Sequence, residues 1–390
     1  MKFPSFLLMA LTLTLCLSTP HLAFSKEECE VSLFDGESLN GWTAENEAVA
    51  EVQNGELLLK AGDGWLRSDH TYGDFKLHVE WKALKADGYD AGIYLRASRE
   101  GKPFPKRGYQ INLKQGQEGT LIRVNGGKVS GLIKPGEWNT FDITASGKQA
   151  TLNINGKQAY QVEGLEIPRG FVGIQVEVPL GGQFLFRNIR ITELNHISLL
   201  DQNTLTHWEG AGQPAEACWE LKNGVLTGLK KKGPWLRSAE EYGDFNLRLE
   251  YKVDEGANSG IYVRVPENGN HHRDNEKQPP AGFEVQILDD AAKKYAKLKP
   301  YQYCGSVYDI EGANPKVCKP AGHWNTLEIN CDGQNITTTH NGMTIVRVTP
   351  EKNPLIKLRK TEGFLGLQNH GGGVTFRNLR IGPAIKGPLP

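Results

Sequence analysis

Apolar and polar residues alternate over many short stretches of this chain. Beginning at Phe245, the apolar residues Phe245, Leu247, Leu249 and Tyr251 are separated by polar ones, and this period of two is typical of a strand with one buried face. Dipeptides suited to tight hairpin turns punctuate such stretches, at Asn54-Gly55, Asn155-Gly156, Asn223-Gly224, Asp332-Gly333 and Asn341-Gly342. The 45 glycines and the lack of a long helical stripe predict an all-β fold that closes as a β-sandwich or jelly roll.

The same succession of sequence motifs occurs twice along the chain. Four motifs recur in order: WLRS-(3)-YGDF at 65–75 and 235–245, GIYLR at 92–96 and GIYVR at 260–264, WNT at 138–140 and 324–326, and FRNIRI at 186–191 and FRNLRI at 376–381. We therefore divide the chain into copy one, residues 26–195, and copy two, residues 196–390, each of ordinary domain size. Because only Asn195 and His196 join the repeats, we expect the copies to pack against each other.

The first 25 residues differ from both copies. Lys2 precedes an apolar run from Phe6 to Leu17, and a small-x-small pattern ends at Ser25. The run is shorter than the roughly 20 residues that cross a bilayer, so it predicts a secretory signal peptide over residues 1–25. The rest of the sequence contains no apolar stretch of spanning length. We therefore expect an exported protein, periplasmic or extracellular.

The charge balance limits the kinds of binding partner, and the cysteine content bears on metal binding and disulfides. The chain has 45 basic and 45 acidic residues without a long block of either sign, which argues against nucleic acid or an anionic membrane as the main partner. The five cysteines after the leader lack the paired short spacings of a zinc site. Because an oxidising compartment permits disulfides, we expect one between Cys304 and Cys318, which flank one loop of copy two.

Eight motifs carry a family resemblance. They are LFDG (33–36), GW (41–42), NG-x-L (223–226), YGDF-x-L-x-x-E, NSGIYVR (258–264), GFEVQILD (282–289), KPAGHWNT (319–326) and GLQNHGGGVTFRNLRI (366–381). In this order they resemble the 3-keto-disaccharide hydrolase domain family, over nearly all of copy two and most of copy one. The resemblance implies two tandem concanavalin-like lectin/glucanase sandwiches that act on carbohydrate. It leaves the reaction open among hydrolases, hydratases and lyases of oxidised sugars.

Strand parity builds a candidate site in copy two. Side chains of a strand alternate between faces, so apolar residues that point into the core assign their neighbours to the open face. This places together Glu250, Tyr262, Arg264, Glu284, Gln286, Gln368 and His370. Such a face offers hydrogen bonds to a sugar, with carboxylates and a histidine for proton transfer. The alternative interpretation is an ordinary polar sheet face whose charges pair across strands.

Comparison of the copies favours copy two as the working domain. The copies differ at the positions whose side chains could transfer protons. Gln110 and Glu177 of copy one align with Glu284 and His370 of copy two, respectively. The other aligned pairs are Asn112 with Gln286, Asp90 with Asn258, Glu80 with Glu250, Tyr94 with Tyr262 and Arg96 with Arg264. We therefore predict that copy two is catalytic and that copy one is a degenerate binding or scaffolding relative.

Two long loops of copy two, 266–281 and 289–319, extend this candidate site, since such loops are often functional. Two aromatic residues are candidates to stack on a sugar ring: Tyr308 in the second loop and Trp235, the first residue of the WLRS motif in copy two. A single tryptophan, however, more often packs in a core.

Metal binding has little support in the sequence. His271 and His272 are adjacent and precede Asp274 in a polar loop, but neighbouring imidazoles rarely point the same way. A cation held by Glu284, Asp289 and His370 is the other arrangement considered. We assign no metal ligands and leave the cofactor and the oligomeric state open.

The predicted chemistry is acid–base cleavage of a 3-keto glycoside. A ketone at C3 acidifies the hydrogen on C2, so a base removes it while the glycosidic oxygen leaves with a proton, and water then adds to the enone. We predict Glu284 and His370 as the proton-transfer pair, in either order, and Arg264 as the group that stabilises the enolate. The predicted substrate contacts are Asn258, Tyr262, Gln286, Gln368, Glu250, Asp289, Trp235 and Tyr308.

Two other functions use the same residues. A lectin-like carbohydrate-binding protein would use the polar face and the aromatic side chains without turnover, and the fold type serves both purposes. An ordinary two-carboxylate glycosidase needs a second acid about 5 to 10 Å from Glu284, which Glu250 or Asp289 would have to provide.

Overall fold

The computed structural model describes residues 28–129, 131–229, 233, 235–371 and 373–387. The predicted signal peptide, residues 1–25, lies outside these ranges. Copy one contains, in chain order, β1 (Glu28–Ser32), β2 (Trp42–Asn46), β3 (Val49–Gln53), β4 (Glu56–Ala61), β5 (Asp63–Tyr72), β6 (Phe75–Ala83), β7 (Gly92–Ala97), β8 (Tyr109–Asn112), β9 (Leu121–Ile122), β10 (Asn139–Ser146), β11 (Gln149–Ile154), β12 (Lys157–Glu163), β13 (Gly170–Glu177) and β14 (Phe184–Ser198).

Copy two repeats this succession of strands. Its strands are β15 (Trp208–Gly210), β16 (Trp219–Lys222), β17 (Val225–Gly228), β18 (Leu236–Tyr242), β19 (Phe245–Val253), β20 (Asn258–Val265), β21 (Phe283–Leu288), β22 (Asn325–Asp332), β23 (Asn335–His340), β24 (Met343–Val348), β25 (Gly363–Leu367) and β26 (Val374–Gly382). Short 3-10 turns occur at Val178–Leu180, Ala215–Ala217, Lys293–Tyr295, Pro300–Gln302 and Pro354–Leu358. None of the described segments is a helix long and apolar enough to cross a bilayer.

The strands form three antiparallel sheets, which confirms the all-β prediction. Each copy has a front sheet of its own, in the order β2-β5-β13-β7-β8-β9 for copy one and β15-β18-β25-β20-β21 for copy two. One 15-stranded back sheet runs through both copies, in the order β12-β11-β10-β6-β14-β26-β19-β22-β23-β24, with β1, β3, β4, β16 and β17 attached to it. Each copy is therefore a two-sheet sandwich, and separate hydrophobic cores fill the two copies.

The copies are joined through strand β14. This strand runs through the join at Asn195 and His196 and pairs with β26, where Ile197 lies opposite Ile381. Close to this pairing the buried Glu193 binds two arginines of copy two, at 2.6 Å from Arg248 and 2.8 Å from Arg380. Burial alone would raise the pKa of Glu193, but the two guanidinium groups hold it far below its ordinary value. The ionised carboxylate thus ties copy one to copy two.

The predicted disulfide between Cys304 and Cys318 is not present in this structure. Both residues are free cysteines, and a disulfide needs sulfur atoms about 2 Å apart. The Tyr251 hydroxyl contacts both, at 2.8 Å from the Cys304 sulfur and 3.6 Å from the Cys318 sulfur.

Candidate active site

A pocket of about 290 Å³ opens on the outer face of the copy-two front sheet. The strands of that sheet and the loops 266–281 and 289–319 line it. Six of the predicted site residues are in the lining: Asn258, Glu284, Gln286, Tyr308, Gln368 and His370. The lining also includes His271, Leu288, Tyr295, Leu298 and Gln302. Parity within β21 is correct, because Phe283, Val285 and Ile287 are buried in the core while Glu284 and Gln286 line the pocket.

A glycine makes room for the central carboxyl group. Gly260 on β20 lies diagonally next to Glu284 on β21, and a methyl group on Gly260 would come within 2.0 Å of Glu284 Oε1. The carboxyl group therefore lies flat against the neighbouring strand. Copy one has the same arrangement, in which a methyl group on Gly92 would come within 2.2 Å of Gln110 Nε2. The two copies thus place different chemical groups at one equivalent position.

Burial sets the protonation state of Glu284. Its residue surface is only 4% exposed, and this burial, together with the negative charge of Asp309, raises the pKa of Glu284 to about 8. Its Oε2 lies 3.4 Å from Nε2 of His271. Burial lowers the pKa of that imidazole, and its Nδ1 is 3.0 Å from the carbonyl oxygen of Gly269. Near pH 7 these pKa shifts favour a protonated acid beside a neutral imidazole.

An aromatic group holds His271 in place. Its ring stacks on Tyr262, with ring centroids 4.6 Å apart and planes at 19°, and Trp235 packs edge-on against Tyr262 at 5.3 Å. Trp235 in turn covers Gly366, where a methyl group would approach its ring to 2.3 Å. Trp65 and Tyr94 pack together in copy one as well, so this aromatic pair belongs to the fold and copy two adds the histidine.

Hydrogen-bond acceptors remain open in the copy-two pocket. The buried Oε1 of Gln368 and Oδ1 of Asn258 have no hydrogen-bond partner among the described residues, although Nε2 of Gln368 donates to the Tyr262 hydroxyl at 2.9 Å. In copy one the equivalent Gln175 has both ends occupied, because it accepts from Gln110 at 2.6 Å and donates to Glu177 at 2.6 Å. Buried acceptors without partners are costly. The two unpaired acceptors of copy two therefore distinguish its site from the equivalent site of copy one.

Arg264 does not reach the pocket, which corrects the prediction that it stabilises an enolate. It is 1% exposed, donates to the carbonyl oxygens of Gly243 and Gly333 at 2.9 and 2.6 Å, and pairs with Asp244 at 3.3 Å. Its φ of +52° and the register shift between Tyr262 and Val265 mark a bulge. A bulge breaks the alternation on which the parity argument depends.

Four predicted substrate contacts are absent from the pocket lining. Tyr262 and Trp235 pack in the aromatic group with His271, and the two carboxylates lie elsewhere. Glu250 is on β19 of the back sheet, where Arg377 and Asn378 bind its carboxylate at 2.7 and 2.6 Å. Alternation correctly predicts that the Glu250 side chain points away from the core, but it does so from the back sheet, opposite the pocket. Asp289 accepts hydrogen bonds from the backbone of Gly256 at 2.8 Å and Ala291 at 3.3 Å, and it lines a separate open groove of about 940 Å³. Neither carboxylate is in the lining of the Glu284 pocket.

The histidines are arranged differently from the predicted acid–base pair. His370 lines the pocket and is exposed, whereas the imidazole against Glu284 is that of His271. His272 points to other carboxylates, with Nδ1 2.6 Å from Asp309 and Nε2 3.0 Å from Asp274. The two adjacent imidazoles therefore do not converge on one ion. His271 lies on a long loop whose path no periodicity defines, so only its presence in an insertion of copy two could have pointed to it.

Comparisons with known proteins agree with this architecture. A family model described as the 3-keto-alpha-glucoside-1,2-lyase-like domain matches residues 30–192 and again 195–382. The 3-keto-disaccharide hydrolase of Bacteroides thetaiotaomicron is 27% identical over 224 residues, which are 48% of this chain and 77% of that protein.

Two solved structures each match less than half of this chain. A crystal structure of a Parabacteroides distasonis protein inferred to be a glycosyl hydrolase has 30% identity and a TM-score of 0.39, covering 48% of this chain and 98% of its own. A carbohydrate-binding module of Bacillus subtilis has 16% identity and a TM-score of 0.32, covering 39% of this chain and 95% of its own.

Proposed function

Because the chain belongs to the family of 3-keto-alpha-glucoside-1,2-lyase-like domains, we propose that copy two cleaves the glycosidic bond of a 3-keto glycoside. The similarity to a 3-keto-disaccharide hydrolase supports hydrolysis as the net reaction. The observation that carries the proposal is the contact between Glu284 and His271 in a pocket with open acceptors. Burial raises the pKa of Glu284 to about 8, which supports a role in proton transfer.

The protonation states assign the roles. The neutral Nε2 of His271 takes the hydrogen from C2 of the sugar, and the electron pair of that bond forms the enolate with the C3 ketone. Glu284, protonated near pH 7, gives its proton to the glycosidic oxygen as the bond from C1 to that oxygen breaks. The products of this step are the alcohol and an enone, beside an imidazolium and a carboxylate that attract each other across 3.4 Å.

Hydration completes the hydrolysis. Water adds its oxygen to C1 of the enone and gives one proton to the Glu284 carboxylate, while the imidazolium of His271 returns a proton to C2, so the ketone and both starting protonation states are regenerated. In place of Arg264, neutral donors of the pocket face the enolate oxygen. Tyr308 accepts a hydrogen bond from Gln302 at 2.9 Å, so its own O–H is available to donate. Gln286 accepts from the backbone of Ile287 at 3.0 Å through Oε1, which leaves its amide hydrogens for the substrate.

Copy one has a supporting role in this proposal. The Gln110–Gln175–Glu177 chain closes its equivalent site with internal hydrogen bonds, and Gln110 carries no titratable proton. We further propose that residues 1–25 direct export to the periplasm or the cell exterior, on the strength of their apolar run and small-x-small end.

The test is incubation of the purified protein with matched 3-keto and unoxidised disaccharides, followed by analysis of released monosaccharide. We expect release from the 3-keto sugar alone, because only its C2 hydrogen is acidified. Binding of either sugar without any product would instead support the lectin-like alternative. Equal release from both sugars would contradict the role of the ketone.

A further inference from the structure

Four side chains that can bind a metal meet in the core of copy two, away from the pocket lining. One ligand atom each from Cys304, Cys318 and His340 lies within 4.8 Å of the others. The Tyr251 hydroxyl lies among them, 2.8 Å from the Cys304 sulfur, 2.8 Å from His340 Nε2 and 3.6 Å from the Cys318 sulfur. Tyr251, Cys304 and His340 are buried. Two sulfurs, an imidazole nitrogen and a phenol oxygen therefore converge on one point.

Copy one fills the equivalent core positions with apolar side chains. Trp81 lies opposite Asn139 as Tyr251 lies opposite Asn325, and Ile154 lies opposite Phe141 as His340 lies opposite Leu327. The two cysteines belong to the loop 289–319, which copy two alone has at this length. The sandwich itself thus does not require polar groups at this place.

Hydrogen bonding does not account for the whole cluster. Tyr251 engages Nε2 of His340, but the buried Nδ1 of the same ring has no partner within the part of the chain that the structure describes. A buried polar group of this kind is costly and calls for an explanation. A ring that binds an ion through Nε2 carries its hydrogen on Nδ1, so this unpaired atom is not one of the ligands, which are the four converging groups.

We propose that Cys304, Cys318 and His340 bind a zinc ion, with the Tyr251 hydroxyl as the fourth group. Two thiolates and an imidazole suit zinc, and their two negative charges balance Zn²⁺. Binding transfers the thiol protons to solvent. The burial of the cluster makes this a structural site, in which every position is taken by the protein.

The zinc site would fix the position of the loop 289–319, which forms one side of the active-site pocket. Tyr308 and Gln302 line the pocket from the same loop that carries both cysteines. Tyr251 belongs to β19 and His340 to β23, so the ion would join this loop to the back sheet. Coordination would also protect from oxidation two thiols that an oxidising compartment would otherwise pair.

The test uses the untagged full chain and measures bound zinc by elemental analysis after dialysis. We expect one equivalent of zinc per chain, its loss in Cys304→Ser and Cys318→Ser, and its retention in Cys29→Ala, a buried cysteine of copy one. Replacing zinc by Co²⁺ in the wild-type protein should give thiolate-to-cobalt charge-transfer absorption, a readout that does not depend on how well the variants fold. Absence of zinc and of the cobalt spectrum after metal addition would overturn the proposal, as would an intact mass lower by two hydrogens, which shows a disulfide.

Discussion

Glu284 lies against Gly260 so closely that a methyl group on the glycine would come within 2.0 Å of its Oε1. The two residues are on neighbouring strands, β21 and β20. Copy one preserves the contact, because a methyl group on Gly92 would come within 2.2 Å of Gln110 Nε2. The fold thus supplies the position of the side chain twice, and only copy two fills it with an acid.

This contact predicts opposite outcomes for two matched substitutions. Gly260→Ala should displace the Glu284 carboxyl group and lower kcat on a 3-keto disaccharide by roughly 100-fold, the effect expected of a misplacement of about 1 Å. Gly92→Ala should displace Gln110 and leave kcat unchanged. Steady-state kinetics of both folded variants checks this prediction. Equal kcat values for the two variants would show that the position of Glu284 does not matter.

The pH profile should depend on Asp309. As the general acid, Glu284 must be protonated, so kcat/KM should fall as the pH rises through about 8, the raised pKa of this group. Because the charge of Asp309 contributes to that raised pKa, Asp309→Asn should move the alkaline limb to lower pH. Asp274→Asn is the control, since Asp274 contacts the same His272 imidazole. An unmoved limb in Asp309→Asn, or equal shifts in both variants, would contradict the assignment.

The same raised pKa predicts how stability changes with pH. Between the ordinary value of 4.5 and about 8 the folded state keeps a proton on Glu284 that the unfolded chain has released. The contribution of this group to stability is therefore present below 4.5 and declines as the pH rises toward 8, by up to about 1.4 kcal/mol per pH unit. Urea unfolding at several pH values should show a smaller decline for Glu284→Gln than for the wild type. Parallel curves would mean that Glu284 is not a buried acid.

Arg264 should contribute to stability and not to turnover. Its removal leaves the carbonyl oxygens of Gly243 and Gly333 without their donor, so Arg264→Met should lower the free energy of unfolding by about 2 to 4 kcal/mol. Arg96→Met should behave alike, because Arg96 donates to Gly73 and Gly147 in the same way. Denaturant unfolding measures both effects. An Arg264→Met protein with wild-type stability but a strongly reduced kcat would contradict this prediction and assign Arg264 a role in catalysis.

The sequence predicted the fold and the pocket residues on the front sheet of copy two, because both follow from the alternation of apolar and polar residues along strands. Glu284 and Gln286 lie within β21 and Gln368 directly follows β25, and alternation correctly assigned all three to the pocket side. It failed for Arg264, because a bulge interrupts β20. It failed for Glu250 as well, because alternation says which way a side chain points but not which of two sheets carries it.

The histidine partner lay beyond such reasoning. His271 reaches Glu284 through the path of a long loop, and its orientation follows from stacking on Tyr262. Neither feature has a local signature in the chain. Comparison of the copies, which isolated Glu284 against Gln110, was more informative about function than any single motif.

The most direct test of the central claim is the turnover of a 3-keto disaccharide by Glu284→Gln, with substrate binding measured on the same preparation by calorimetry. The substitution keeps the shape of the side chain and reproduces the group that copy one has at Gln110. We predict that kcat falls by about 100-fold or more, the contribution of a general acid, while the Kd stays close to that of the wild type. An unchanged kcat would contradict the assignment of Glu284 as the acid of this site.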